Sequence, residues 1–339
     1  MGSFKSPILL TALYFLLNTG CKKTETPQLT QGFNVYMAGT VNNAAVFWKN
    51  GQSTELAASS SAACIGVTGT DVFVGGQSNQ ERVYWKNGQL NSLSQGSATV
   101  NGIALSGSDV YFVGQARGNL FIDSAGGSLI NTNTAVYWKN GILNNLEPNS
   151  RGSAAEGIGF DGSDMYVVGH VFSSSDTAVQ WKNGIRTNYT SDNGQTEIAY
   201  AVAVSGTDVY AVGVYNNMPV YWKNGVMSTL NLNGSPYPGN GFASAIEVVG
   251  TDVYIAGAST LPNSGYKATY WKNGLSTNLS DNTSDQSMAS GIAIVGSDIY
   301  VVGMVATAGG SSYSPVYWKN GVEYKLSGIG SINAICAGN

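Results

Sequence analysis

The sequence is short of the side chains that most enzyme chemistry uses. Of its 339 residues 16 are basic and 20 acidic, together only 11%, and His170 is the single histidine. A formal net charge of -4 provides no cluster of Lys and Arg to displace counterions from a phosphate backbone, which excludes nucleic acid as a partner. Metal sites or relays built on paired histidines lack their parts. Cysteine is scarce too, at three residues. What is present points to a packed, repetitive fold. Hydrophobic residues make up 43% and aromatics 11%, enough for a large core, and 44 glycines with seven tryptophans suggest internal repeats.

Residues 1–31 differ from the rest. Lys5 precedes an apolar run from Pro7 to Leu17, then Asn18-Thr19-Gly20-Cys21. The run is shorter than the roughly 20 apolar residues that span a bilayer and suits the core of an export signal. The small residues before Cys21 resemble a bacterial lipobox, which implies lipidation of Cys21. A cleaved signal with an incidental cysteine is the plainer alternative. Cys21 to Gln31 then reads as a tether, giving a signal peptide over 1–20, a tether over 21–31 and a folded region over 32–339. The expected address is the bacterial cell envelope, at the outer membrane or cell surface, with the lipid anchor on Cys21 as the membrane contact.

The tetrapeptide Trp-Lys-Asn-Gly begins at Trp48, Trp85, Trp138, Trp181, Trp222, Trp271 and Trp318, which are all the tryptophans. Asn-Gly between β-branched and aromatic residues predicts a tight hairpin, because its type I′ turn needs positive φ at both central positions. A second signature precedes each copy: a turn aspartate at Asp71, Asp109, Asp164, Asp208, Asp252 or Asp298, with Asn34 in the seventh place, then an apolar strand ending in Gly39, Gly76, Gly114, Gly169, Gly213, Gly257 or Gly303. A short apolar run lies before each turn, so every unit holds four short antiparallel strands.

Residues 32–339 divided by seven give about 44 residues per unit, the size of a propeller blade. The folded region starts inside a unit, at a second strand, and ends at Ile332–Ala337 with a first strand. Pairing of these terminal segments completes one blade and leaves no open edge. The predicted fold is therefore all-β, a seven-bladed β-propeller acting as a monomer. An open solenoid or β-helix is the alternative, but neither has reason to split a repeat between the termini.

In such a blade the acidic turn and the Asn-Gly turn share one side of the disc, and both are nearly constant. The connection from closing glycine to tryptophan, on the other side, spans 9, 9, 24, 12, 9, 14 and 15 residues. Function is expected on that variable side. Its longest segment, Gln115–Thr134, reads as a loop carrying Arg117, Phe121 and Asp123 as candidate ligand-binding residues. Aligned on the first-turn glycine, Ala63, Asn101, Glu156, Tyr200, Ser244 and Ser290, with Asn333 in the last place, should surround the channel mouth. Asn101, Glu156 and Tyr200 are its candidate binding residues, against the plainer reading of a hydrated rim. Glu247 stands where other units have Gly or Ala and is predicted to line the channel.

Other features have plainer readings. The seven lysines read as solvated hairpin flanks, the tryptophans as inter-blade packing and the aspartates as acceptors for backbone N–H groups in their own turns. His170 reads as exposed at a loop start. Cys64 and Cys336, on inner strands of adjacent blades, leave open one disulfide. Neither Asp192 to Glu197 nor Asp281 to Asp285 has the alternating acids of an EF-hand loop, and no metal or cofactor is expected.

The order Trp-x-x-Gly, apolar residue, turn, short strand and apolar-Gly ending resembles the HAF-type extracellular repeats of bacteria across residues 32–339. The marks of WD40, Kelch and sialidase repeats are missing. The resemblance implies a secreted propeller and carries over no catalytic residue. The function expected is a lipid-anchored scaffold that binds a protein or glycan on the variable face and is no enzyme. The alternative is a hydrolase or lyase with Glu156, Glu247 or Asp123 as acid or base.

Overall fold

The computed structural model describes residues 33–93, 99–122, 129–148, 152–172, 175–189, 194–231, 240–260, 265–280, 286–307, 310 and 312–338, with backbone alone at 118–122 and 129–132. These form seven four-stranded antiparallel sheets with no helix among the described residues. In six sheets the strands follow chain order, as in Ser60–Thr68, Asp71–Ser78, Glu81–Lys86 and Gln89–Ser92. The remaining sheet joins the two ends of the folded region. Gly330–Gly338 pairs with Asn34–Val41 in the register Tyr36↔Cys336, and Ala44–Lys49 and Gln52–Ala58 complete it. The composite sheet is blade 1 and the others follow as blades 2 to 7. The expected propeller, closed by its termini, is what forms.

The tryptophans sit on the third strand of each blade with at most 4% of their surface exposed. Each packs toward the preceding blade. Trp138, Val136 and Phe112 of blade 3 share one apolar cluster with Cys64, Phe73 and Leu93 of blade 2, and Trp318 of blade 7 packs with Tyr254, Ala256 and Leu279 of blade 6. Burying one indole removes roughly 150–250 Å² from water, worth about 4–6 kcal/mol. Inter-blade packing is thus the main role of this residue.

The constant face is a repeated polar lock. In blade 4, Asn183 and Gly184 take φ of 51° and 82°. The Asn183 Oδ1 accepts the Met165 N–H at 2.8 Å and its Nδ2 donates to Asp164 Oδ1 at 2.9 Å. Lys182 Nζ lies 2.8 Å from Asp164 Oδ2 and 5.0 Å from the centre of the Tyr166 ring. Two expectations need correction here. The aspartates take their bonds from the next hairpin's Asn and Lys, across the blade, and six of the seven lysines are paired with them, because the strand register sets both turns side by side. Blade 1 keeps the lock in reduced form, with Asn50 Nδ2 donating to Asn34 Oδ1 at 2.8 Å. Asn34 also marks where the chain enters the ring, on this constant face.

On the variable face the segment read as a long loop is mostly ladder. Asp109–Ile122 and Leu129–Lys139 pair out to Ile122↔Leu129, past the end of inner strand Thr99–Ser106 and of outer strand Ile142–Asn145. Leu120-Phe121-Ile122 and Leu129-Ile130 are good strand formers, and the two backbones satisfy one another's N–H and C=O groups. A ribbon therefore replaces the loop.

Candidate functional site

Every innermost strand slips register by one residue near the variable face. The residue left unpaired is Asn333, Ala63, Asn101, Glu156, Tyr200, Ser244 and Ser290 in blades 1 to 7. These are the seven positions that the sequence places around the mouth. A bulge re-aims its extra side chain, and here all seven line one cavity in the central channel. The closing glycines make this geometry feasible. A Cβ on Gly213 would land on the Ile198 carbonyl, and one on Gly76 on that of Ser61, two residues before the bulge in each case.

The cavity volume at the mouth is about 390 Å³, with Val100 and Phe242 adding apolar wall to Ala63, Asn101, Glu156, Tyr200, Ser244 and Asn333. One layer deeper, each blade contributes a branched apolar residue: Ile65, Ile103, Ile158, Val202, Ile246, Ile292 and Ile335. The mouth is a polar ring above an apolar collar. Between them the strands carry small residues, because neighbouring inner strands nearly touch. A Cβ on Gly157 would stand 2.8 Å from the Ala201 Cα.

Most donors of the polar ring are used in stitching blade to blade. Asn101 Nδ2 donates to Ala155 O at 3.0 Å, Ser244 Oγ to Ala289 O at 2.8 Å, Ser290 Oγ to Ile332 O at 2.5 Å and Asn333 Nδ2 to Ala62 O at 2.7 Å. Each accepting carbonyl belongs to the residue just before the next blade's bulge.

One arc of the mouth is charged. Glu156 Oε2 accepts a bond from Asn101 Nδ2 at 2.8 Å, while Glu156 Oε1 stands 3.7 Å from His170 Nδ1. His170 Nε2 stands 3.7 Å from Asp176 Oδ1, so the imidazole lies between two carboxylates. At that distance the contacts are not hydrogen bonds, and they become ion pairs only when His170 is protonated. Burial pushes the Glu156 carboxyl up to about 7, against the lowering effect of Asn101. Burial drives His170 below its usual value despite the Asp176 charge, so the imidazole is neutral at pH 7. Tyr200 is raised by burial and then by the charges of Glu156 and Asp176.

The predicted residues separate into groups. Asn101, Glu156 and Tyr200 share the mouth. Glu247 lies three residues past its bulge, outside the residues lining the mouth, where its Oε2 accepts the Ile294 N–H of the next blade at 2.9 Å. Burial raises it to about 7. It thus stands apart from Glu156 and Tyr200. Arg117 is exposed on the ribbon, Phe121 lies in the same strand by its backbone, and Asp123 falls outside the described residues. Cys21 and the segment 281–285 also fall outside them. Cys64 and Cys336 are free thiols, both pushed up to about 12 by burial.

His170 and Asp176 are what sequence reasoning missed. His170 is largely buried on the second strand of blade 4, opposite Ala154 and Ala178, and is not at an exposed loop start. The strand continues past its closing glycine, which carries the side chain toward the mouth. The signal available was position: the residue after the closing glycine is Thr40, Gln77, Gln115, His170, Val214, Ala258 and Met304 around the ring.

No family model and no curated relative matches the sequence. The fold is similar to several solved structures. A puromycin-hydrolysing peptidase of Mycobacterium tuberculosis aligns with 89% of this chain at a TM-score of 0.56 and 10% identity, over 53% of its own length. An acylaminoacyl peptidase of Pyrococcus horikoshii aligns with 89% at 0.54 and 11% identity, over 52% of its length. The chain thus spans about half the length of these peptidases. A periplasmic gluconolactonase of Pseudomonas aeruginosa aligns over 99% of its length at a TM-score of 0.47 and 11% identity. At such identities the first two likenesses show the fold alone.

Proposed function

We propose that the protein is an exported, lipid-anchored binding scaffold of the cell envelope, monomeric, that recognises a protein or glycan ligand at the channel mouth on its variable face. The observation that carries this reading is the ring of seven bulged residues. The backbone leaves its ladder once in every blade at one level, and the side chains so released converge on one cavity. The mouth of that cavity, lined by six of the seven, has a volume of about 390 Å³, within the range of small-ligand sites. Polar groups, Tyr200 and Phe242 in one concave wall suit a partner group that is part polar and part flat or aliphatic.

Asn34 joins the ring at a constant-face turn, bonded to Asn50, so the described chain enters on the face opposite the mouth, an arrangement compatible with an N-terminal anchor and an open mouth.

The test is a glycan array and pull-down with soluble residues 32–339, repeated with Tyr200→Ala and with 116–133 deleted. Loss of binding with Tyr200→Ala places the ligand at the mouth. Loss with the deletion alone moves it to the ribbon and rejects the mouth. Export and lipidation are tested by radiolabelled palmitate uptake, which Cys21→Ser should abolish.

A further inference from the structure

We propose that the group this mouth receives is an organic cation, an alkylammonium or guanidinium, carried either by a lysine or arginine side chain or by a small free amine. The proposal rests on the reading that the mouth is the binding site and specifies the chemistry of its ligand.

The hydrogen-bonding groups that the ring leaves uncommitted point to this ligand. Asn101, Ser244, Ser290 and Asn333 line the cavity but spend their donors on carbonyls of the neighbouring blade. Of the ring's acceptors, Asn333 Oδ1 is taken by the Ser331 Oγ at 2.7 Å, while those of Asn101 and Glu156 are less committed. Asn101 donates both of its bonds through Nδ2, leaving Oδ1 as an acceptor, and Glu156 Oε1 has His170 as an electrostatic neighbour beyond hydrogen-bond length. Asp176 stands behind His170 with a second negative charge. Neither lysine nor arginine lines the cavity among the described residues.

An anion in this mouth would meet a carboxylate and, besides the Tyr200 hydroxyl, few free donors. A sugar hydroxyl needs donors and acceptors together, and here the balance favours acceptors. An ammonium or guanidinium brings donors without acceptors, which is the complement of the ring. The Tyr200 and Phe242 rings in the same wall add faces that attract a cation, while Val100 offers apolar surface for an aliphatic stem. The lifted Glu156 carboxyl fits the same picture, because a buried carboxylate without a counter-ion is costly and a bound cation would relieve it.

The test uses soluble residues 32–339 and isothermal titration with cadaverine, agmatine, a capped lysine tripeptide, chitotriose and citrate at pH 8 and pH 6. Binding of the first three, not of chitotriose or citrate, is expected. Glu156→Gln should weaken it at least tenfold, and the constant-face variant Glu323→Gln should leave it unchanged. With Glu156 titrating near 7, affinity of the unmodified protein should fall about tenfold from pH 8 to pH 6. The groups facing Glu156 are Asn101, His170, Asp176 and Tyr200. Charging His170 on acidification acts in the same direction, since it adds a competing cation. This pH arm needs no variant, so it holds even if Glu156→Gln fails to fold.

Tighter binding of the tripeptide than of cadaverine assigns the ligand to a protein side chain, and the reverse assigns a free amine. Chitotriose or citrate binding that Tyr200→Ala removes, without binding of the amines, overturns the cation and leaves the mouth as the site. Binding of no probe, combined with array ligands that ignore Tyr200→Ala, overturns both readings.

Discussion

Asn183 carries more of its hairpin than its size suggests. It holds a left-handed backbone at φ 51°, caps the Met165 N–H and steers Asp164. Alanine keeps none of these bonds and disfavours that φ by about 1–2 kcal/mol, to which the lost hydrogen bond adds about 1. Asn183→Ala should therefore cost about 2–3 kcal/mol by urea unfolding, whereas Asn183→Gly should recover the backbone part. Lys182→Met is expected to shift the unfolding midpoint much less, because the Lys182–Asp164 pair is exposed and screened. A midpoint more sensitive to Lys182 than to Asn183 would contradict this division. The Asn was legible in the sequence as a turn residue. Its grip on the aspartate of another turn was not, since that depends on strand register.

Within a strand, the seven closing glycines read as punctuation in the sequence, and their physical reason lies in the neighbouring strand. The bulge drives a carbonyl of the inner strand into the space a Cβ would fill. Gly213→Ala should destabilise by more than about 2 kcal/mol and broaden the amide signals of Ile198 to Ala201, because the clash is with backbone and cannot be relieved by a rotamer. An alanine tolerated without change in stability would show that the bulge is not held by this contact. The ring itself was legible by alignment on the turn glycines, as a consequence of equal strand lengths. That each ring residue is unpaired was not legible, because a register slip is a relation between two strands that neither strand's own sequence marks. The ribbon at 115–134 misled for a related reason. Its length fits a loop, and only the pairing of the two halves makes it a ladder.

For the molecule as a whole, closure and burial set the behaviour. Deleting residues 330–339 strips blade 1 of its inner strand and opens the edge of Asn34–Val41. The expected result is a midpoint lowered by more than about 10 °C, with aggregation visible by light scattering. Stability should also depend on pH with an unusual sign. Glu156 and Glu247 have ordinary values of 4.5 and folded values of about 7, so the folded state holds their protons more tightly. Stability then falls as pH rises from about 4.5 to 7, by up to about 1.4 kcal/mol per unit for each carboxyl. His170, lowered in the folded state, opposes this below its ordinary 6.5, as one group against two. The paired aspartates, all lowered, make stability fall again below about 3.8. Urea midpoints of residues 32–339 should peak near pH 4–5, and the double variant Glu156→Gln with Glu247→Gln should flatten the upper slope. A midpoint that rises from pH 5 to 7 would reject the assignment.

By itself the sequence determined the number of blades, the four strands of each, the closure by the termini and the seven positions around the mouth. All of these follow from local periodicity and turn chemistry repeated seven times, which a one-dimensional pattern can hold. The tertiary structure decided which of those side chains meet. His170 comes to Glu156, Glu247 goes to the neighbouring blade, and the donors of Asn101, Ser244, Ser290 and Asn333 turn to the next blade's carbonyls. Such contacts join residues 14 to 271 positions apart across strand and blade boundaries, where only the tertiary fold fixes the distance.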